Sequence, residues 1–331
     1  EFMTEENLLI NPNNSYQLPD DNGTLDDINS GWWFKETHQE LCTGPTDILL
    51  PILIFIDGGK ITERISIEPL VLTLGIFKRS LRNLPSSWRT LGYLENLDNS
   101  IGTERVKRNA KKKMHDYHEM LKEILSEFKL HQGKNGGFKW KLKIGNHSHE
   151  VVFKLAIQVV LGDCVGHDKL CLHIASNNPN AKNLCRECKV SPTDSEDPDH
   201  RCIFITADDF LNASQEDLAN ISKRNVPNAF SDIYFGARNL SIYESTPPEP
   251  LHQFLLGLVK YLIEELFKEF TEGLKKRVSK CVQHLYKNCS RQSSRNFPSL
   301  ACVQNSITNT GTLSASEQYI RLFALFIAFN I

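Results

Sequence analysis

The period of the apolar positions changes several times along the 331 residues, and each change marks an element. Residues 1–30 show no period: Asn, Asp, Pro and Gly recur irregularly, which reads as a disordered acidic arm. Order is expected from Gly31-Trp32-Trp33-Phe34, where three aromatics need burial. Residues 48–56 form a continuous Ile/Leu-rich run stopped by Asp57-Gly58-Gly59. That is the pattern of a strand buried on both faces and closed by a glycine turn. Residues 64–67 and 70–77 follow as two further strands, with Pro69 breaking or bulging the chain between them.

The period then turns helical over 104–131, where Val106, Ala110, Met114, Tyr117, Leu121, Ile124 or Leu125, and Phe128 recur at steps of three and four. Gly133, Gly136 and Gly137 end that stretch. Residues 138–144 and 150–155 predict a hairpin around Gly145-Asn146. Residues 156–160 lead into Leu161-Gly162-Asp163, a second buried strand ending in a carboxylate. Residues 169–202 are Cys/His-rich and loop-like. Residues 251–270 predict a strong helix with Leu251, Leu255, Leu258, Leu262, Leu266 and Phe270 on one face. Residues 275–312 read as a polar connector. Residues 314–329 read as a final helix, with Ser314 as N-cap and Glu317 at its third position. The order is strands, long helix, strand, insertion, helix, which fits a mixed α/β sheet with flanking helices better than separate β and α domains.

Composition adds limits. Hydrophobic residues at 40% and charged residues at 24% describe a globular chain, long enough for one large domain or two ordinary ones. With 38 Lys+Arg against 40 Asp+Glu the formal charge is −2, which excludes nucleic-acid binding by bulk charge alone but leaves room for a local basic face. Arg105, Lys107, Arg108, Lys111, Lys112 and Lys113 form the densest basic stretch, and Lys134, Lys139, Lys141 and Lys143 continue the bias. This reads either as a contact for a phosphate backbone or as the solvated face of a helix. Residues 1–30 contain no apolar core of a secretory signal, and no run of about 18–20 apolar residues predicts a membrane span. The opening Glu1-Phe2-Met3 and the ending Phe329-Asn330-Ile331, inside an apolar pattern, suggest an incomplete polypeptide.

Two residue sets carry candidate chemistry. Nine cysteines, five of them within 164–202, argue for metal ligation or reduced thiols over a secreted disulfide framework. Cys185-Arg186-Glu187-Cys188 is a CxxC suited to Zn²⁺, with Cys171, His173, His200 and Cys202 on either side. The bland alternative is a reduced pair without metal, and redox chemistry is disfavoured by the polar loop setting. Asp57 and Asp163 each follow an apolar strand. If those strands are neighbours, both carboxylates emerge at one sheet edge, where a hard cation such as Mg²⁺ would relieve their repulsion. Otherwise each Asp merely caps a turn.

Read together, several ordered blocks are familiar. Leu50-Pro51-Ile52-Leu53-Ile54-Phe55-Ile56-Asp57-Gly58-Gly59, Ile67-Glu68-Pro69-Leu70 with Thr73-Leu74-Gly75-Ile76-Phe77, and Trp88-Arg89-Thr90-Leu91-Gly92-Tyr93 resemble the transposases of CACTA-type (EnSpm) DNA transposons, the Plavaka-like branch above all. Leu161-Gly162-Asp163 with His167-Asp168-Lys169-Leu170-Cys171 resembles that family's second acidic block. Leu184-Cys185-Arg186-Glu187-Cys188 resembles its CxxC, and Leu251-His252 with Leu256-Gly257 its [Met/Leu]-His block. The resemblance implies an RNase H-like mixed sheet with flanking helices, interrupted by a Cys/His-rich and helical insertion. It divides the chain into an arm (1–30), the first part of the core (31–168), the insertion (169–312) and a final core helix (313–331). It also implies an Asp/Asp/Glu site of Asp57, Asp163 and Glu317 for DNA strand cleavage and transfer by two-metal phosphoryl chemistry, with Asp57 bridging two Mg²⁺ or Mn²⁺ ions and Asp163 and Glu317 completing one each. Glu249 and Glu264 are rivals for the third acid, and Asp168 for the second. A Zn²⁺ shared by Cys185, Cys188, Cys202 and His252 would frame the insertion. DNA (transposon ends and target) is the implied partner, contacted by the Arg105–Lys113 stretch, in a nuclear setting that allows a homo-oligomer. The alternative reading is a non-catalytic, zinc-stabilised module, derived from a transposase, that binds nucleic acid or protein.

Overall fold

The computed structural model of the chain describes Leu8, Leu9, residues 26–60, 66–95, 110–144, 147–174, Asn178 and residues 180–289 except 198, 207–208 and 211–212, together with Leu322 and Leu325. The chain divides into two compact units, Glu1–Pro247 and Pro248–Ile331.

The first unit is a mixed α/β structure built on one mixed sheet. Its central strand is β1 (Asp47–Ile56), and every residue from Ile48 to Ile52 is buried. Burial of consecutive residues means that both faces of the strand are covered, as the Ile/Leu run predicts. On one side β1 pairs antiparallel with β3 (Ser66–Leu74). On the other it pairs parallel with the long β6 (His147–Leu161). With β2 (Gly59–Lys60) and β5 (Phe138–Ile144) at its ends, the order is β2-β3-β1-β6-β5, and β4 (Arg89–Glu95) is also on β3. The expected hairpin is present: β5 (Phe138–Ile144) pairs antiparallel with β6, Ile144 opposite His147. The strand predicted from 156 is the second half of β6 itself.

The short β2 (Gly59–Lys60) explains the turn after β1. Ile54 opposite Leu72, Ile56 opposite Leu70, Gly59 opposite Ile67 and Lys60 opposite Ser66 share one register. So β2 resumes the ladder of β1 after a two-residue gap at Asp57-Gly58, across from Pro69 and Glu68. Pro69 has no N–H to donate there, which suits a gap in the ladder. The expectation of two strands split at Pro69 is corrected: one strand runs through it, and the irregularity is a register shift between Leu70 and Val71 against β4.

Helix α1 (Trp32–Leu41) starts where the aromatics predict, but only Trp33 and Phe34 are buried, and Trp32, expected inside with them, is exposed. The Trp33 indole N–H donates to the Phe235 carbonyl at 2.7 Å. The short α2 (Arg79–Arg82) carries Arg82, which forms an ion pair with Asp27. Leu8 is buried and bridges Phe77. The long helical stretch divides into α3 (Ala110–Ile124) and α4 (Ser126–His131) at Leu125. It is followed by β5, β6 and the short α5 (Cys164–Leu170).

After α5 the chain is mostly irregular, with one more short helix, α6 (Gln215–Asn220). It is nonetheless fastened to the sheet. Beyond the reach of β5, the backbone of β6 donates from Ile157 to the Tyr234 carbonyl (3.1 Å) and from Val160 to the Ser245 carbonyl (2.8 Å). Lys223 is buried, donating to the carbonyls of Arg186 (2.8 Å) and Cys171 (3.3 Å) with its ammonium 4.2 Å from the Tyr243 ring centre.

In the second unit, residues Pro250–Val259 wind with a wide π-type turn before α7 (Lys260–Glu269) and α8 (Glu272–Cys289). Val259, Ile263 and Phe267 are buried with Val278 and Leu325. Of the expected inner face, Leu258, Leu262 and Leu266 are exposed, while Leu255 and Phe270 pack against this buried cluster. The helix is apolar over a wide arc, so spacing alone left its inner side open, and the π-type winding ahead of α7 shifts the phase. The expected connector at 275–312 is also corrected at its start, because α8 occupies 272–289. The helix expected at 314–329 lies outside the described residues except for Leu322 and Leu325.

Candidate active site

Asp57 directly follows β1, and Asp163 stands two residues beyond the end of β6. The parallel register pairs Phe55 with Leu161, so its continuation sets Ile56 beside Gly162 and Asp57 beside Asp163. Neighbouring strands lie about 4.8 Å apart, and parallel neighbours end on the same side of the sheet. The two carboxylates therefore leave adjacent backbones at one sheet edge. Gly162 enforces this approach: a Cβ on it would lie 2.5 Å from the Ile56 carbonyl oxygen.

Asp57 is exposed. Asp163 is half-buried and caps α5, its Oδ1 accepting from the Gly166 N–H at 2.5 Å. The bland expectation of a capping aspartate is thus met for Asp163, and one carboxylate oxygen carries that bond. Asp168, the rival second acid, is engaged elsewhere, with Oδ1 3.0 Å from Nδ1 of the buried His173.

Several polar groups that spacing did not reveal surround the pair. Glu68 of β3 reaches toward the Asp57-Gly58 gap, and a Cβ on Gly58 would lie 3.5 Å from its Cγ. Its carboxylate accepts from the Tyr117 hydroxyl at 3.0 Å and forms an ion pair with Lys169 of α5. Burial, then the charges of Glu68 and Asp163, hold the Tyr117 hydroxyl well above its usual pKa, so it stays a neutral donor. His167 is buried beside Gly162, and burial followed by the nearby Arg186 charge pushes its pKa down to about 4. The available signal for Glu68 was a charge inside an apolar strand, at Ile67-Glu68-Pro69-Leu70-Val71.

The cysteines behave differently. The Glu187 N–H donates to Cys185 Sγ at 3.3 Å. The Cys188 thiol is pushed up to about 12, first by burial, and hydrogen-bonds with the thiols of Cys185 and Cys202. A thiol held protonated is a poor redox nucleophile, which argues against thioredoxin-like chemistry. The expected fourth zinc ligand, His252, belongs to the second unit, where its Nδ1 lies 2.8 Å from Glu249. That contact also occupies Glu249, and Glu264 lies on α7 of the same unit. Among the described residues no group of three or more His, Cys, Asp and Glu side chains is arranged to hold a metal ion.

Of the basic stretch, Lys111 and Lys112 are exposed and Lys113 half-buried in the first turn of α3. Arg105, Lys107 and Arg108 lie outside the described residues, as does Glu317. Lys139, Lys141 and Lys143 are exposed on β5 at the sheet edge, where lysines also discourage pairing with another strand. No helix among the described residues is long and apolar enough to cross a membrane.

The family model described as Plavaka transposase matches residues 3–264 of the chain. No curated protein matches the chain.

Proposed function

Because the chain belongs to the Plavaka transposase family, whose activity implies DNA as its partner, we propose that it cleaves and transfers DNA strands at a divalent-cation site built on Asp57 and Asp163. The observation that carries this reading is the parallel β1–β6 pair, which brings both aspartates to one sheet end. The strand order supports an RNase H-like core: β1, β3 and β4 form an antiparallel meander, α3 crosses over, and β6 returns parallel to β1. The donor set fits the metal. Mg²⁺ takes hard oxygens, is commonly held by only one or two carboxylates, and leaves its other positions to water and substrate phosphates. Bound there, such an ion would supply Lewis acidity to an attacking water or 3′-hydroxyl and to the leaving oxygen. Asp57, exposed, would hold the cation directly, while Asp163 keeps one oxygen on its helix cap and would offer the other. Glu317 remains the proposed third acid.

Sulfur donors suit a softer ion, and Zn²⁺ at Cys185, Cys188 and Cys202 remains the proposed structural metal of the insertion; it would require these thiols to rearrange, since they are not set to hold an ion as they stand. The non-catalytic, zinc-stabilised module is the weaker reading, because it leaves the paired aspartates without a role. The nucleus follows as the proposed site of action, where the DNA is.

The test is cleavage of duplex DNA by the purified chain with Mg²⁺ or Mn²⁺. Asp57→Asn and Asp163→Asn are expected to lose about two or more orders of magnitude in rate, while DNA binding persists. Undiminished cleavage in either variant would remove that residue from the site.

A further inference from the structure

The Glu68–Lys169 ion pair lies at the same sheet end as the two aspartates. The Glu68 side chain is 15% exposed and that of Lys169 34%. A half-buried carboxylate on a β-strand is costly without a counter-charge, so the pair has a structural reason to exist. Its location gives it a second consequence. Glu68 sits across the ladder gap from Gly58, one residue after Asp57. Lys169 lies on the helix that Asp163 caps, six residues on, which at about 1.5 Å per residue is roughly 9 Å along the axis. Tyr117 joins them, donating to Glu68 with Lys169 Nζ 5.6 Å from its ring centre. The C-terminal turn of α5 is further held by His118 Nε2 on the Lys169 carbonyl (3.1 Å) and by Asn228 Nδ2 on the Leu170 carbonyl (2.9 Å). The lysine is therefore fixed near the aspartates.

We propose that Glu68 and Lys169 are positioning residues that set the charge of the cation site: Lys169 neutralises Glu68, so the incoming ion meets the two aspartates and not three carboxylates or an unmatched ammonium. This rests on the Asp57–Asp163 reading above. Removing one partner at a time shifts the local charge by one unit in opposite senses. Glu68→Gln leaves the ammonium alone and weakens cation binding. Lys169→Met leaves the carboxylate alone and strengthens it. Over a separation of this size, in partly screened surroundings, each change is expected to shift affinity by about three- to tenfold.

The measurement is Mn²⁺ affinity by isothermal titration, with thermal melting run alongside on the same proteins. The expected result is weaker binding in Glu68→Gln, tighter binding in Lys169→Met and near wild-type binding in the double variant. The charge-conserving Glu68→Asp and Lys169→Arg should stay within about twofold of wild type. A purely structural pair would lower the melting temperature in both single variants and move affinity the same way or not at all, which overturns the proposal. If Asp57→Asn leaves Mn²⁺ affinity unchanged, the site reading itself fails. If it weakens binding while Glu68→Gln and Lys169→Met do not diverge, only the present inference fails.

Discussion

A methyl group at Gly162 would sit 2.5 Å from the Ile56 carbonyl oxygen, well inside contact distance. Relief would push the end of β6 away from β1 and separate Asp163 from Asp57. Gly162→Ala is therefore expected to lower stability by about 1–3 kcal/mol in urea denaturation and to weaken divalent binding as well. Two buried histidines near this end set a pH limit. The Ala229 N–H donates to His118 Nδ1 at 3.0 Å and Nε2 faces the Lys169 carbonyl at 3.1 Å, an arrangement only the neutral ring satisfies. Burial lowers the pKa of His118 to about 4, and that of His167 likewise. Unfolded, both titrate near 6.5, so between about 6.5 and 4 the unfolded chain binds more protons and stability falls as pH falls. Denaturant midpoints at pH 6.5 and 4.5 should differ, and His118→Gln should shrink the difference. Equal midpoints would contradict the assignment. Asp57 and Asp163 were legible in the sequence because each ends an apolar run. Glu68, Tyr117 and Lys169 were not, because they meet only when β3, α3 and α5 pack together.

The elements reward period-2 and period-3.6 reasoning unevenly. β1, the β5–β6 hairpin and α3 follow from their apolar patterns because each has one way to bury them. The single strand through Pro69 was not legible, since a proline reads as a break unless its missing N–H falls where the ladder already has a gap. Helix α8 had a usable signal in Leu274, Val278 and Cys281, which the surrounding Lys and Arg residues obscured. On α7 the apolar residues cover too wide an arc for spacing to choose a side. The observed side makes a simple contrast. Phe267→Ala is expected to destabilise the second unit by about 3–5 kcal/mol, and Leu262→Ser to stay within about 0.5 kcal/mol, both read by chemical denaturation. The reverse ranking would mean that the leucine stripe is the buried one.

For the whole molecule, a formal charge of −2 averages over regions of opposite sign. Lys111, Lys112 and Lys113 stand together at the start of α3, while the aspartates gather at the sheet end. If the lysines meet the phosphate backbone, replacing all three with Gln should weaken duplex binding for every sequence alike. It should also reduce the slope of log affinity against log salt by about 2–3. An unchanged slope would leave them as a solvated helix face. Whether Asp57 and Asp163 share a divalent ion is decided by a double-mutant cycle in Mn²⁺ affinity with Asp57→Asn, Asp163→Asn and both together. With a shared ion, each single variant loses about tenfold or more and the double loses far less than the product, because the first removal already dismantles the shared site. Two losses that simply multiply, or no loss in either variant, would show that the aspartates do not hold a common ion.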